Sequence, residues 1–152
     1  MGCRARAALV VEQGAGLVLY HTAHGLRPRW REAAELAAAA ASAGANVWST
    51  QPPPLAFYTD DVPERAGKDY RLPAGVRLLA RWTVDDLDRA LARGEPTCVV
   101  IHVQDLQTWD AAQRDRLAHA LDGRGLRSVR LPNRFGPKEL TLALYASVDL
   151  RR

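Results

Sequence analysis

Two hydrophobic periods divide this chain, and the switches between them mark its elements. After Pro28, the residues Trp30, Ala33, Ala34, Ala37, Ala38 and Ala41 recur at helical spacing until Gly44, which predicts one Ala-rich helix able to pack closely on a sheet. Pro28 suits a helix start and Gly44 a helix stop. Residues 46–50 read as a short strand, followed by Gln51 and three prolines, with a brief apolar turn or helix over 55–58. Residues 61–75 are polar, with two prolines and two glycines, and read as a surface loop.

The second half is more regular. Residues 76–82 form a strand candidate, and Thr83 with Asp86 three residues on predicts a capping box. Val84, Leu87, Ala90 and Leu91 then give a buried stripe that ends at Gly94. Residues 97–103 are nearly continuously apolar, as expected of a central parallel strand. Asp110 with Gln113 starts another helix, with Ala112, Leu117, Ala120 and Leu121 inward and Gly123 at its end. Residues 126–131 make a further strand. Leu140, Leu142, Leu144 and Ala146 alternate, which predicts an antiparallel strand at an edge. The order α-β-(short α)-β-α-β-α-β-β implies a small α/β domain: a Rossmann-like three-layer sandwich, mostly parallel, with an antiparallel C-terminal edge hairpin. Its expected extent is 27–148, after an N-terminal segment 1–26 and before a tail 149–152.

The N-terminal segment has two readings. Apolar runs on either side of Gln13-Gly14-Ala15-Gly16 fit a hairpin, or a helical run carried over from something longer. The first run stops at Glu12 after four apolar residues, whereas a secretory core needs roughly 7–15 and a spanning helix about 20. Arg6 stands where a myristoylation motif wants Ser or Thr. The expectation is a soluble chain.

Composition changes little. At 152 residues, 47% hydrophobic and 25% charged, the chain has enough material for one core. The net charge is +4, but the arginines are scattered rather than gathered on one stripe with aromatics, so nucleic acid is not an expected partner. Cys3 and Cys98 have neither metal nor disulfide spacing; Cys98 reads as a buried structural thiol.

Candidate chemistry is thin. His21 and His24 have an H-x-x-H spacing without matching partners, and Gly14-Ala15-Gly16 lacks the third glycine of a dinucleotide fingerprint. Asp60, Asp61 and Glu64 do not match a calcium loop. No catalytic residue, metal or cofactor is expected. The one informative place is the end of the apolar strand, His102-Val103-Gln104-Asp105. In open α/β sheets ligands bind beyond the carboxyl ends of strands, which makes Gln104, Asp105, Thr50 and Gln51 candidate ligand-binding residues, with Trp82 beside them. The structural alternative is that Asp105 simply caps the turn before Asp110.

The residues Trp30-Arg31-Glu32-Ala33-Ala34, then Val47-Trp48-Ser49-Thr50, then Pro53-Pro54-Leu55-Ala56-Phe57-Tyr58 resemble, in that order, the segment after the last membrane helix of bacterial GT-C glycosyltransferases of the dolichyl-phosphate-mannose-protein mannosyltransferase-like type. The likeness spans 27–148 and continues through helix 83–93, strand 98–103, Phe135-Gly136 and 142–147. It implies the extracytoplasmic C-terminal domain of such an enzyme, a lid whose partner is the membrane part or an acceptor. In that family the transfer chemistry belongs to the membrane part, so the resemblance carries no catalytic residue to this sequence. It implies that Arg27, Arg29 and Arg31 face a phosphate-rich membrane surface, and that residues 7–22 stand where the final membrane helix would end, a role from which Glu12 and Gln13 depart.

Overall fold

The computed structural model describes residues 28–58, 76–132 and 141–150. The alternatives for 7–22, and Cys3, Gly14, Gly16, His21, His24, Arg27, Asp60, Asp61, Glu64 and Phe135, lie outside the described residues.

Helix α1 (Trp30–Ser42) buries Trp30, Ala33, Ala34, Ala37 and Ala40, a stripe at helical spacing. It starts two positions later than Pro28 would set it, with Arg29 as N-cap and the Trp30 N–H donating to the Pro28 carbonyl at 2.8 Å. It ends because Gly44 takes φ +86°, a left-handed conformation that costs other residues steric strain. The Ala45 N–H then reaches back to the Ala40 carbonyl at 3.0 Å and the chain passes directly into β1 (Asn46–Ser49). The same device recurs at Gly94, where the Glu95 N–H donates to the Ala90 carbonyl at 3.1 Å before the chain enters β3 (Thr97–His102).

The short helix α2 (Pro52–Tyr58) follows β1. Strand β2 (Val76–Leu78) is shorter than its apolar run predicts. The Thr83 hydroxyl explains this: it accepts from the Ala80 N–H at 2.8 Å and reaches the Leu78 carbonyl at 3.0 Å, closing a turn that ends the strand. Thr83 is therefore spent on the preceding turn and forms no capping box with α3 (Val84–Ala92); Asp86 pairs with Arg89 instead. At α4 (Ala111–Leu121) the box forms as expected, Gln113 N–H to Asp110 at 2.7 Å and Asp110 N–H to Gln113 at 3.1 Å. Its inner face is Leu117 and Ala120; Ala112 is exposed. Strands β4 (Arg127–Leu131) and β5 (Leu142–Ala146) complete the fold.

The five strands form one mixed sheet in the order β2-β1-β3-β5-β4. β1 pairs in parallel with both β2 and β3, while β5 runs antiparallel to β3 and to β4. The antiparallel pair does stand at the end of the sheet, but β5 is not the edge strand. It lies between β3 and β4, and β4 is outermost. The reason is burial: four of the five β5 residues are buried, whereas Arg127, Ser128 and Arg130 of β4 are exposed. An edge tolerates the charged strand better.

All six residues of β3 are buried. They alternate between two apolar clusters. Cys98 and Val100 join α1, Leu55 of α2, Leu142 and Leu144. Val99 and Ile101 join Leu87, Ala90 and Leu91 of α3, Trp109 and Leu117 of α4. Leu87 is fully buried in the second cluster, while Leu78 at the end of β2 is 36% exposed. Leu87→Ala is expected to lower unfolding free energy by roughly 2–5 kcal/mol and Leu78→Ala by no more than about 1 kcal/mol. Equal losses in urea unfolding would contradict this division of the core.

Candidate functional site

The connections after β1, β2 and β3 all emerge at one edge of the sheet, because those strands are parallel. β1 is where the strand order reverses: the chain goes on to β2 on one side and returns to β3 on the other. Such a switch point opens a crevice between the two connections. Here Thr50 and Gln51 leave β1, and His102 ends β3 and runs into a 3-10 turn (Val103–Thr108) that carries Asp105.

Four side chains meet there. The His102 N–H, at the last position of β3, donates to the Thr50 hydroxyl at 3.0 Å. The Gln51 amide nitrogen lies 2.7 Å from Asp105 Oδ1 and 3.2 Å from His102 Nδ1. His102 Nδ1 lies 3.3 Å from the same carboxylate oxygen. The backbone is held as well, with the Gln51 N–H donating to the Ser49 hydroxyl at 3.0 Å. Asp105 therefore does not cap the turn before Asp110; its carboxylate reaches sideways to the neighbouring connection.

Electrostatics fix the protons. Burial pushes the Asp105 carboxyl up, but hydrogen bonding to His102, Thr50 and Gln51 and the attraction of the imidazole outweigh it, so the group is held below its ordinary value of 3.8. An ionised Asp105 favours a hydrogen on His102 Nδ1, since the other tautomer would set a lone pair against a carboxylate oxygen; the Gln51 amide nitrogen then donates to Asp105 and not to the ring. That assignment follows from the partners' charges rather than from a located hydrogen. It leaves His102 Nε2 as a lone-pair acceptor. Nε2 is buried without a partner, as is Asp105 Oδ2. His102 itself is 5% exposed and packs 5.8 Å from the Trp30 ring, ring centre to ring centre.

On the β2 side of the same edge, the Thr83-closed turn projects Trp82 outward, 70% exposed, with the Arg81 guanidinium 5.9 Å over its ring. A groove of about 400 Å³ runs from there to the β3 connection, lined by Thr50, Arg81, Trp82, Asp105 and Trp109 among others.

Of the residues the sequence singles out, Thr50, Gln51 and Asp105 are brought together and Trp82 shares their groove. Gln104 is exposed on the 3-10 turn and makes no hydrogen bond within the cluster. His102 is the member that sequence reasoning missed as a site residue. It was absorbed into the apolar run; the signal was a histidine followed three residues later by an aspartate at a strand's carboxyl end. Arg29 is half-buried and paired with Glu32, and Arg31 is exposed with its guanidinium 5.9 Å over the Tyr58 ring.

The cluster offers hydrogen-bond acceptors and a fixed carboxylate. Cys98 is buried and burial pushes its thiol up to about 12, so it stays a thiol at neutral pH. Among the described residues no group of three or more His, Cys, Asp or Glu side chains is placed to hold a metal ion, and no helix is long and apolar enough to cross a membrane. No family model, curated protein or solved structure matches the chain.

Asp105 also links the site to stability. Its folded pKa is depressed, so its contribution is complete above the unfolded value, near 3.8, and disappears as pH falls through the folded one. The stability difference between the native chain and Asp105→Asn, from urea midpoints, is expected to be constant near neutrality and to shrink below about pH 4. A difference that grows on acidification would contradict the ionised carboxylate.

Proposed function

We propose that this chain is a non-catalytic accessory domain, a lid similar to the C-terminal extracytoplasmic domain of a lipid-linked-sugar glycosyltransferase, and that its working face is the edge formed by the carboxyl ends of β1, β2 and β3. In finer terms we read the fold as a small Rossmann-like three-layer sandwich, with α1 and α2 over one face of the sheet and α3 and α4 over the other.

The observation that carries this reading is the contact between Trp30 and His102. Trp30 opens α1, and His102 ends β3. The point where the chain arrives from anything preceding Pro28 is therefore on the same edge as the polar cluster. A domain tethered there would turn Thr50, Gln51, Asp105 and Trp82 toward its tether. The residues of the resemblance also fit together: Leu55 packs in the cluster built around Trp30, and Arg31 stacks over Tyr58. The partner in this reading is the membrane part of the enzyme or an acceptor.

A second reading has its own observation. Asp105, whose Oδ2 is buried without a partner, lines an open groove, as expected of a free-standing α/β protein that binds a small ligand at the strand ends. Both readings use the same edge.

They separate on membranes. Under the lid reading, Arg27, Arg29 and Arg31 meet anionic headgroups. Each such arginine contributes about 1 kcal/mol near a charged surface. The chain is expected to sediment with phosphatidylglycerol vesicles but not with phosphatidylcholine vesicles, and reversal of all three arginines to Glu to weaken this by roughly tenfold or more. Sedimentation that the triple reversal leaves unchanged would remove the arginines from the proposal.

A further inference from the structure

We propose that the groove between the β2 and β3 connections binds an organic cation, an ammonium or guanidinium group, between the Trp82 ring and the Asp105 carboxylate. The proposal rests on the reading of this edge as a binding face and names the chemistry it takes.

Three observations converge. The first is the carboxylate. Asp105 Oδ1 is taken by Gln51 and His102, whereas Oδ2 has no partner, and Asp105 lines the groove. A fixed anionic oxygen without a donor calls for N–H or O–H groups, and repels anions. The second is the aromatic wall. Trp82 and Trp109 line the same groove, Trp109 seated in the core and Trp82 held out by the turn that the Thr83 hydroxyl closes. An indole face attracts a cation better than any other side-chain ring. The third is that the groove already draws one. The Arg81 guanidinium lies 5.9 Å over the Trp82 ring and lines the groove with it. Arg81 acts as an internal stand-in, which an external cation displaces while gaining the carboxylate. The support is rigid where it must be: Asp105 is braced by Gln51 from the connection after β1 and by His102 at the end of β3, so the carboxylate is oriented before any ligand arrives. A metal ion fits less well, since no third ligand of its kind stands near among the described residues.

Spermidine and tetramethylammonium serve as probes, followed through the Trp indole N–H signals and the backbone amides of the intact chain by two-dimensional NMR. The expected result is saturable shifts at Trp82, Trp109, Thr50 and Asp105, weakened by added salt. Trp82→Ala, at an exposed position that leaves the core alone, is expected to weaken binding roughly 2- to 30-fold. Asp105→Asn is expected to weaken it by about tenfold or more, and Arg81→Ala to strengthen it by removing the competitor. Spermidine gains over tetramethylammonium because it alone has N–H donors for the carboxylate.

Binding that both Trp82→Ala and Asp105→Asn leave unchanged would overturn the proposal. If a neutral saccharide or inorganic phosphate shifts these signals and the cations do not, the cation assignment fails and the edge remains a binding face. If none of the probes shifts them, both fail.

Discussion

The structure depends on one strand. β3 is paired on both sides and covered on both faces, so nothing it presents can be left to water. Along most of its length this is easily met, because Val99, Val100 and Ile101 have only apolar atoms to bury. At its carboxyl end the strand finishes with a histidine whose side chain and backbone both need partners in the interior. Thr50 takes the backbone N–H, and Gln51 and Asp105 gather around the ring. The polar cluster is thus what the end of a fully buried strand requires, drawn from the two connections that flank it.

That requirement orders the rest of the edge. Holding Asp105 against His102 and Gln51 draws the 3-10 turn toward the connection after β1, and Asp105 and Trp109 line the groove there. The Thr83 hydroxyl shortens β2 and projects Trp82 from across the groove. Trp30 closes the ring from the other face of the sheet. Small residues make this last contact possible: with Ala33, Ala34 and Ala37 inward, α1 lies close enough to the sheet for its first tryptophan to reach the end of β3.

Much of the fold is legible in the sequence. The helical spacing from Trp30, the apolar run from Thr97, the Asp110–Gln113 box and the glycines after α1, α3 and α4 appear where local rules put them. What local rules missed were competitions. Thr83 carries the same signature as a cap, but a turn claimed its hydroxyl first. Leu142 to Ala146 alternates with small and large apolar residues on both faces, which a half-buried edge and a buried interior strand share; only the charge of β4 decides which lies outside. The site was half legible. The rule that ligands gather at strand carboxyl ends points to Thr50, Gln51 and Asp105, but no periodicity tells that His102 turns toward Gln51 while Gln104 turns to solvent.

The proton state of His102 decides the electrostatic order of this edge. An ionised Asp105 held against Nδ1 should keep the hydrogen on that nitrogen and leave Nε2 an unfilled acceptor in the interior. Long-range proton–nitrogen correlation on uniformly labelled protein at neutral pH reads this directly. The expected result is a protonated Nδ1 and an unprotonated Nε2 for His102, with the pattern lost in Asp105→Asn. A ring with its hydrogen on Nε2, and the same in both proteins, would mean that Gln51 rather than Asp105 orients the histidine, and the electrostatic order of the edge would have to be redrawn.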